Sequence, residues 1–244
     1  MIFTRTLLLS LIMVTALAAC SSHKPASIDP QPRLQEYEWM SIERWQSMHA
    51  AHTDIARTED VELLLLGDSI TEGWPEALLE EYLGAYRIAN FGIGGDRTEN
   101  VLWRLENGAV GQLQPRAVSL LIGVNNFGLA DHPAEDVYLG VSALVEKLLD
   151  VFPTADILVH TIFPYQESPE HPDRARLERT NAMIRGLADR ERVHLLDIGA
   201  QLVDDQGHIS PDIMPDYLHL SEAGYRIWAE HLTPALVPLL HEPR

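Results

Sequence analysis

The feature that most constrains this chain is a set of short, nearly continuous apolar runs, each ending in glycine or a polar cluster. The first, Val61-Glu62-Leu63-Leu64-Leu65-Leu66, stops at Gly67. Others lie at Tyr86–Phe91, Ala117–Ile122, Ile157–Ile162 and Val193–Ile198. Runs of this length without polar alternation are the pattern of strands buried on both faces. Between them, Glu76–Tyr82, Thr98–Leu105, Ala134–Val151 and Arg174–Arg190 have helical periodicity, and Ser221–Leu240 follows the last run. A further helix is expected over 37–52, where Trp39, Ile42, Trp45 and Met48 recur every third residue. Alternating strands and helices predict an α/β fold: a single-domain three-layer α/β/α sandwich around a central parallel sheet. No internal repeat or composition break marks a second domain. Open parallel sheets bind ligands beyond the carboxyl ends of their strands. The residues directly after the apolar runs are therefore the ones to inspect.

The N-terminus reads differently. Arg5 precedes an apolar run from Leu7 to Ala19, too short to span a bilayer comfortably and ending in small residues, as a secretory signal does. Leu17-Ala18-Ala19-Cys20 resembles a bacterial lipobox, in which the cysteine is lipidated and becomes the new N-terminus. Residues 1–19 are thus expected to be a signal peptide. Cys20, the only cysteine of the 244 residues, is the expected lipidation site, and 20–35 a polar tether. The folded domain proper is expected over 36–244. Ser21 follows the cysteine with no aspartate to retain the protein at the inner membrane. By resemblance to sorted lipoproteins, the expected location is the cell envelope, lipid-anchored in the outer membrane and facing the periplasm. The formal net charge of −18 argues against nucleic-acid partners. No Cys/His cluster has zinc-ligand spacing, so no metal is expected.

Polar clusters do follow the strands. Gly67-Asp68-Ser69-Ile70-Thr71 comes after the first and Asn90-Phe91-Gly92-Ile93-Gly94-Gly95-Asp96 closes the second. Gly123-Val124-Asn125-Asn126 comes after the third, and Asp216-Tyr217-Leu218-His219 lies near the C-terminus. Together they supply an acyl-transfer set. A serine hydroxyl needs a base within reach, and His219 suits the task because imidazole titrates near neutrality. Asp216, in the same loop, can orient that imidazole. The backbone N–H groups of Ser69 and Gly92 and the side-chain amide of Asn125 are the candidate oxyanion donors.

These blocks, in this order, resemble the SGNH (GDSL-type) hydrolases over roughly residues 60–240. The match is nearest to the platelet-activating factor acetylhydrolase type Ib branch, through Asn90 to Asp96, Val101-Leu102-Trp103-Arg104-Leu105, Gly123 to Asn126 and Asp216 to Leu220. The resemblance implies the flavodoxin-like SGNH fold and a catalytic triad of Ser69, Asp216 and His219. It also implies an oxyanion hole of Ser69, Gly92 and Asn125, no metal or organic cofactor, and a small-molecule or glycan ester as substrate. The branch includes dimers, which puts a homodimer among the implied assemblies. It favours short acyl groups, acetyl above all. Two rival readings stay open: a lysophospholipase or thioesterase for longer acyl chains, and a non-catalytic lipoprotein that binds a glycan.

Other features read as structure. A dinucleotide loop would need glycine where Arg97 stands, and an α/β-hydrolase elbow would need glycine where Thr71 stands. Asp68 is expected to form the turn. Asp96 and Arg97 are expected either to form a salt bridge near the site or to touch substrate. Trp45, Trp74 and Trp103 read as packing residues, Trp74 being the nearest to the serine. His160 and His171 read as non-catalytic, and Phe127 is expected at the pocket lip.

Overall fold

The five apolar runs pair as five parallel strands. The structure is a computed structural model that describes residues 24–241. In chain order it comprises α1 (Ile42–Thr58), β1 (Leu63–Gly67), α2 (Ser69–Glu72), α3 (Glu76–Leu83), β2 (Ile88–Gly92), α4 (Thr98–Glu106) and β3 (Ala117–Leu121). There follow α5 (Val124–Gly128), α6 (Ala134–Val151), β4 (Asp156–His160), α7 (Pro172–Arg185), β5 (Val193–Leu196) and α8 (Glu222–His241). The sheet order is β2-β1-β3-β4-β5. Every residue of the inner strands β1 and β3 is buried, whereas the edge strands β2 and β5 are only partly so. This is the burial that an unbroken apolar run implies for an inner strand. Helices α3 and α8 pack together on one side, and α4, α6 and α7 pack in succession on the other. The expected α/β/α sandwich is what forms.

The register sets the site. Gly67 pairs with Gly92 on one side and Leu121 on the other. The carboxyl ends of β2, β1 and β3 therefore finish level, and the three loops that follow them share one rim.

Several boundaries differ from the sequence reading, each for a local reason. The first helix begins at Ile42 rather than 37 and runs on to Thr58. Ser41 caps it by accepting a hydrogen bond from the Arg44 N–H at 3.0 Å, and Tyr37 and Met40 close a tight turn in front of it. Trp39 thus sits on the turn, not on a helix face. The fourth strand stops at His160 because Asn181 of α7 takes both the N–H (2.9 Å) and the carbonyl (2.8 Å) of Ile162. The helix expected over 174–190 starts earlier, with Pro172 in its first turn, and gives way to a 3-10 turn at Gly186.

Part of the expected tether is folded. Ser27 is fully buried, donating to the Asp136 carbonyl at 2.6 Å while its own carbonyl accepts from Thr98 Oγ1 at 2.8 Å. Gln31 exchanges hydrogen bonds with Glu99 and Asn100 of α4, and Arg33 is buried. Polar composition suggested a linker here. The same polar groups find backbone partners on the domain, so this segment lies across it as a strap. The signal segment 1–19 and Cys20 lie outside the described residues. Among the described residues no helix is long and apolar enough to cross a membrane.

The Ser41 cap gives a direct test of the revised helix start. Ser41→Ala is expected to lower stability by about 1 kcal/mol, read as a fall of about 2–4 °C in Tm. An unchanged melt would return the helix start to the Tyr37 turn.

Candidate active site

Ser69 is the first residue of α2, directly after β1. Asp68 caps this one-turn helix, its Oδ1 accepting from the Ile70 N–H at 3.0 Å. Because β1 lies between β2 and β3, the serine emerges where the chain order reverses across the sheet, the position at which such folds bind ligands. His219 arrives from the loop before α8. Its Nε2 lies 2.9 Å from Ser69 Oγ and its Nδ1 lies 2.7 Å from Asp216 Oδ2. Asp216 Oδ1 accepts from the backbone N–H groups of His219 (2.7 Å) and Leu218 (3.1 Å). Tyr217 between them has φ +59, a left-handed conformation unusual for a bulky residue, which folds the loop so tightly that both side chains meet. Burial opposes ionisation of Asp216. The bonds from the His219 ring and backbone outweigh it and hold the carboxyl below its ordinary range. Tyr225 of α8 donates to the Ile70 carbonyl at 2.7 Å and so ties the histidine side of the site to the serine side.

The oxyanion donors need one correction. The Gly92 N–H is already committed to Asn90 Oδ1 at 2.9 Å, and Gly92 does not line the cavity beside Ser69. Its glycine identity has a packing cause: a Cβ there would lie 2.1 Å from the Glu72 backbone nitrogen. The Gly94 N–H is likewise taken, by Glu72 Oε2 at 2.6 Å. Gly95 is different. It lines the cavity with φ +73, a conformation that favours glycine, and its N–H has no protein acceptor among the described residues. The Ser69 N–H is unpaired in the same sense. Asn125 lines the same cavity, with one amide hydrogen donated to the Asp96 carbonyl at 3.0 Å and the other unassigned. Ser69, Gly95 and Asn125 are therefore the donors the geometry offers. A run of three glycines' worth of loop in the sequence could not say which N–H stays free.

The cavity has a volume of about 550 Å³. Trp39, Met40, Leu129 and Leu218 give it apolar walls, and Arg44 and Glu72 stand at its side. Trp39 was legible in sequence only as a helix-face residue; it is in fact half exposed on the cavity wall, stacked on Tyr37 at 4.8 Å. Phe127, expected at the lip, is buried under Arg176 and against Tyr165.

The remaining candidates resolve into packing. Asp96 is wholly buried and forms the expected kind of salt bridge, with Arg104 Nε (2.9 Å) and Arg33 Nη2 (3.4 Å), while Trp45 Nε1 donates to it at 2.6 Å. Its carboxylate cannot reach substrate. Arg97 pairs with Glu99. Trp74 packs on Trp228 and Tyr225, and Trp45 on Trp103. His160 is buried, holds Ser119 Oγ at 2.8 Å, and is pushed down to about 3 by burial, so it stays neutral. His171 caps α7. Among the described residues no group of three or more His, Cys, Asp or Glu could hold a metal ion.

Asp68 carries a further consequence. Complete burial pushes its pKa up to about 7, against the pull of the Ile70 N–H, and Oδ2 has no partner. Between about pH 4 and pH 7 the folded chain then holds a proton that the unfolded chain has released, so this residue lowers stability as pH rises through that window. Asp68→Asn keeps the cap and removes the titration. The Tm of the variant relative to the natural chain is expected to rise by about 3–8 °C between pH 4.5 and pH 8. A difference that is the same at both pH values would contradict this.

Comparison with known proteins agrees with this geometry. Residues 65–227 match the GDSL-like lipase/acylhydrolase family. Platelet-activating factor acetylhydrolase IB subunit alpha1 of Pongo abelii is 36% identical over 199 residues, covering 81% of this chain and 84% of the relative. Subunit alpha2 of Rattus norvegicus is 32% identical over 202 residues, covering 82% and 86%. A solved GDSL-like lipase from Bacteroides thetaiotaomicron VPI-5482 shares the fold, with a TM-score of 0.62 over 80% of this chain and 96% of that one at 16% identity. With its serine at the sheet's reversal point and the four sequence blocks on one rim, the chain belongs to the GDSL-like lipase/acylhydrolase family and is a carboxylic ester hydrolase.

Proposed function

We propose that the chain hydrolyses short-chain carboxylic esters, acetyl esters above all, through an acyl-Ser69 intermediate. The observation that carries this reading is the unbroken relay from Ser69 Oγ through His219 to Asp216, with hydrogen-bond distances of 2.9 and 2.7 Å. Ser69 Oγ attacks the ester carbonyl carbon as His219 Nε2 takes its proton. The negative charge on the tetrahedral oxygen is met by the N–H groups of Ser69 and Gly95 and the Asn125 amide. The ester C–O bond then breaks, and His219 returns the proton to the leaving alkoxide. Water repeats the sequence on the acyl-serine, giving the free acid and restoring the hydroxyl. Asp216 stays ionised and holds the imidazole in the productive tautomer.

A small acyl group is favoured by the relatives named above, which are called acetylhydrolases. The rival with longer acyl chains predicts a different profile, which makes the test simple. Hydrolysis of p-nitrophenyl acetate, butyrate and octanoate is measured beside Ser69→Ala and Asn125→Ala. Turnover should favour acetate, vanish in Ser69→Ala, and fall about 10²–10³-fold in kcat in Asn125→Ala. Peak activity on octanoate would favour the long-chain rival. Full activity in Ser69→Ala would refute the relay.

We also propose that the mature protein is anchored in the cell envelope through lipid on Cys20, at the periplasmic face of the outer membrane. Support comes from the order of the apolar run, Leu17-Ala18-Ala19 and Cys20. An N-terminal peptide carrying acyl chains on Cys20, recovered from the membrane fraction, is the expected result. Recovery as soluble periplasmic protein without acyl groups would contradict it.

A further inference from the structure

We propose that Arg33, on the N-terminal strap, is a positioning residue for the oxyanion loop. The inference rests on the acyl-serine reading and adds to it a residue that lies outside the 65–227 family match. Arg33 is only 4% exposed. One guanidinium nitrogen, Nη2, donates to the Gly94 carbonyl at 2.7 Å and reaches Asp96 Oδ1 at 3.4 Å. The Gly94 carbonyl belongs to the same peptide unit as the Gly95 N–H, so a donor fixed on that carbonyl fixes the direction of the N–H. The second partner works on the other donor. The Asp96 carboxylate is held by Arg33 and Arg104, and the Asp96 carbonyl accepts from the Asn125 amide at 3.0 Å. One buried guanidinium thus bears on two of the three donors that face the developing oxyanion.

Arg33 and the Trp39 turn that follows the strap also fill the space beside Gly95. A Cβ on Gly95 would lie 2.3 Å from the Trp39 ring and 3.0 Å from Arg33 Nη2. The guanidinium itself rests on the Tyr37 and Trp39 rings at 5.5 and 5.8 Å. The Arg33 bond to the Gly94 carbonyl and the Trp39 indole beside the Gly95 Cα together restrict this peptide. Gly95 has φ +73 and could otherwise turn freely. Donors that stabilise a transition state must hold their direction before the reaction begins, and a small misplacement lowers the rate strongly. Both contacts run through Nη2, so lysine could bring one nitrogen to the same acceptors, but it lacks the planar group that rests on the Tyr37 and Trp39 rings.

The test compares Arg33→Ala, Arg33→Lys and Ser27→Ala with the natural chain on p-nitrophenyl acetate. Ser27 anchors the same strap to α6 but touches neither Gly94 nor Asp96, so it reports the cost of loosening the strap alone. Arg33→Ala is expected to lose about 10- to 100-fold in kcat, with KM within about twofold, and to bind a boronate that mimics the tetrahedral state more weakly by the same factor. Arg33→Lys should fall between, and millimolar guanidinium should restore part of the Arg33→Ala activity. Ser27→Ala should lower Tm while keeping kcat. If Arg33→Ala and Ser27→Ala lose kcat alike, or Arg33→Ala keeps kcat and boronate affinity, Arg33 is structural only and the inference is overturned. If the natural chain shows no Ser69-dependent turnover, the acyl-serine reading itself fails and the inference goes with it.

Discussion

Everything in the site depends on one parallel ladder. Gly67 at the end of β1 is flanked by Gly92 of β2 and Leu121 of β3. Three strands that end level deliver three loops to one rim: the serine, the glycine loop and the asparagine. A slip of one residue in either pairing would turn the adjoining loop's side chains toward the opposite face. The bulk of the apolar core serves to keep that register, because β1 and β3 are buried along their whole length. The fourth block needs no strand. The left-handed Tyr217 and the Tyr225 bond to the Ile70 carbonyl bring His219 over the serine from the far end of the chain.

Above the ladder, rigidity comes from buried polar groups rather than apolar contact. Asp96 collects Arg104, Arg33 and Trp45 around one fully buried carboxylate. Removing the Asp96 carboxylate would strand two buried guanidiniums, and breaking a buried pair in this way typically costs about 3–5 kcal/mol. An arrangement this costly to disturb has few alternative conformations, which is what a loop carrying backbone donors requires. The Glu72 bond to the Gly94 N–H acts in the same sense from the other side. The glycine loop is thus held at its carbonyl, its N–H and its following carboxylate, while the Gly95 N–H has no protein acceptor among the described residues and Gly95 lines the cavity.

Much of this is legible in the amino-acid sequence. Continuous apolar runs gave the inner strands, because full burial on both faces leaves no polar alternation. Ser69 and Asn125 are identifiable because their residue types and their positions after strands agree, Asp216 and His219 because an acid three residues before a histidine suits a base and its partner, and the structure brings all four to one rim. What could not be read were matters of hydrogen-bond accounting. Gly92 and Gly95 are the same residue type three positions apart; Gly92 ends β2 with its N–H taken by the Asn90 side chain, whereas Gly95 lines the cavity with φ +73. The partners of Asp96 lie at 33, 45 and 104, and nothing local to Asp96 announces them. Residues 26–33 look like a linker because composition counts polar side chains without seeing the backbone groups they meet. Trp39 fell on a helical period with Trp45, and the Ser41 cap that ends that period is a three-residue signal within a longer one.

The central claim is that the acyl group passes through Ser69. Rapid acid quench of the protein with p-nitrophenyl acetate, followed by peptide mass spectrometry, tests it most directly. The account predicts a transient acetyl adduct on the peptide containing Gly67-Asp68-Ser69, formed at the rate of the nitrophenol burst and absent from the Ser69→Ala protein. An adduct on another residue, or steady turnover with no covalent species at any quench time, would contradict it.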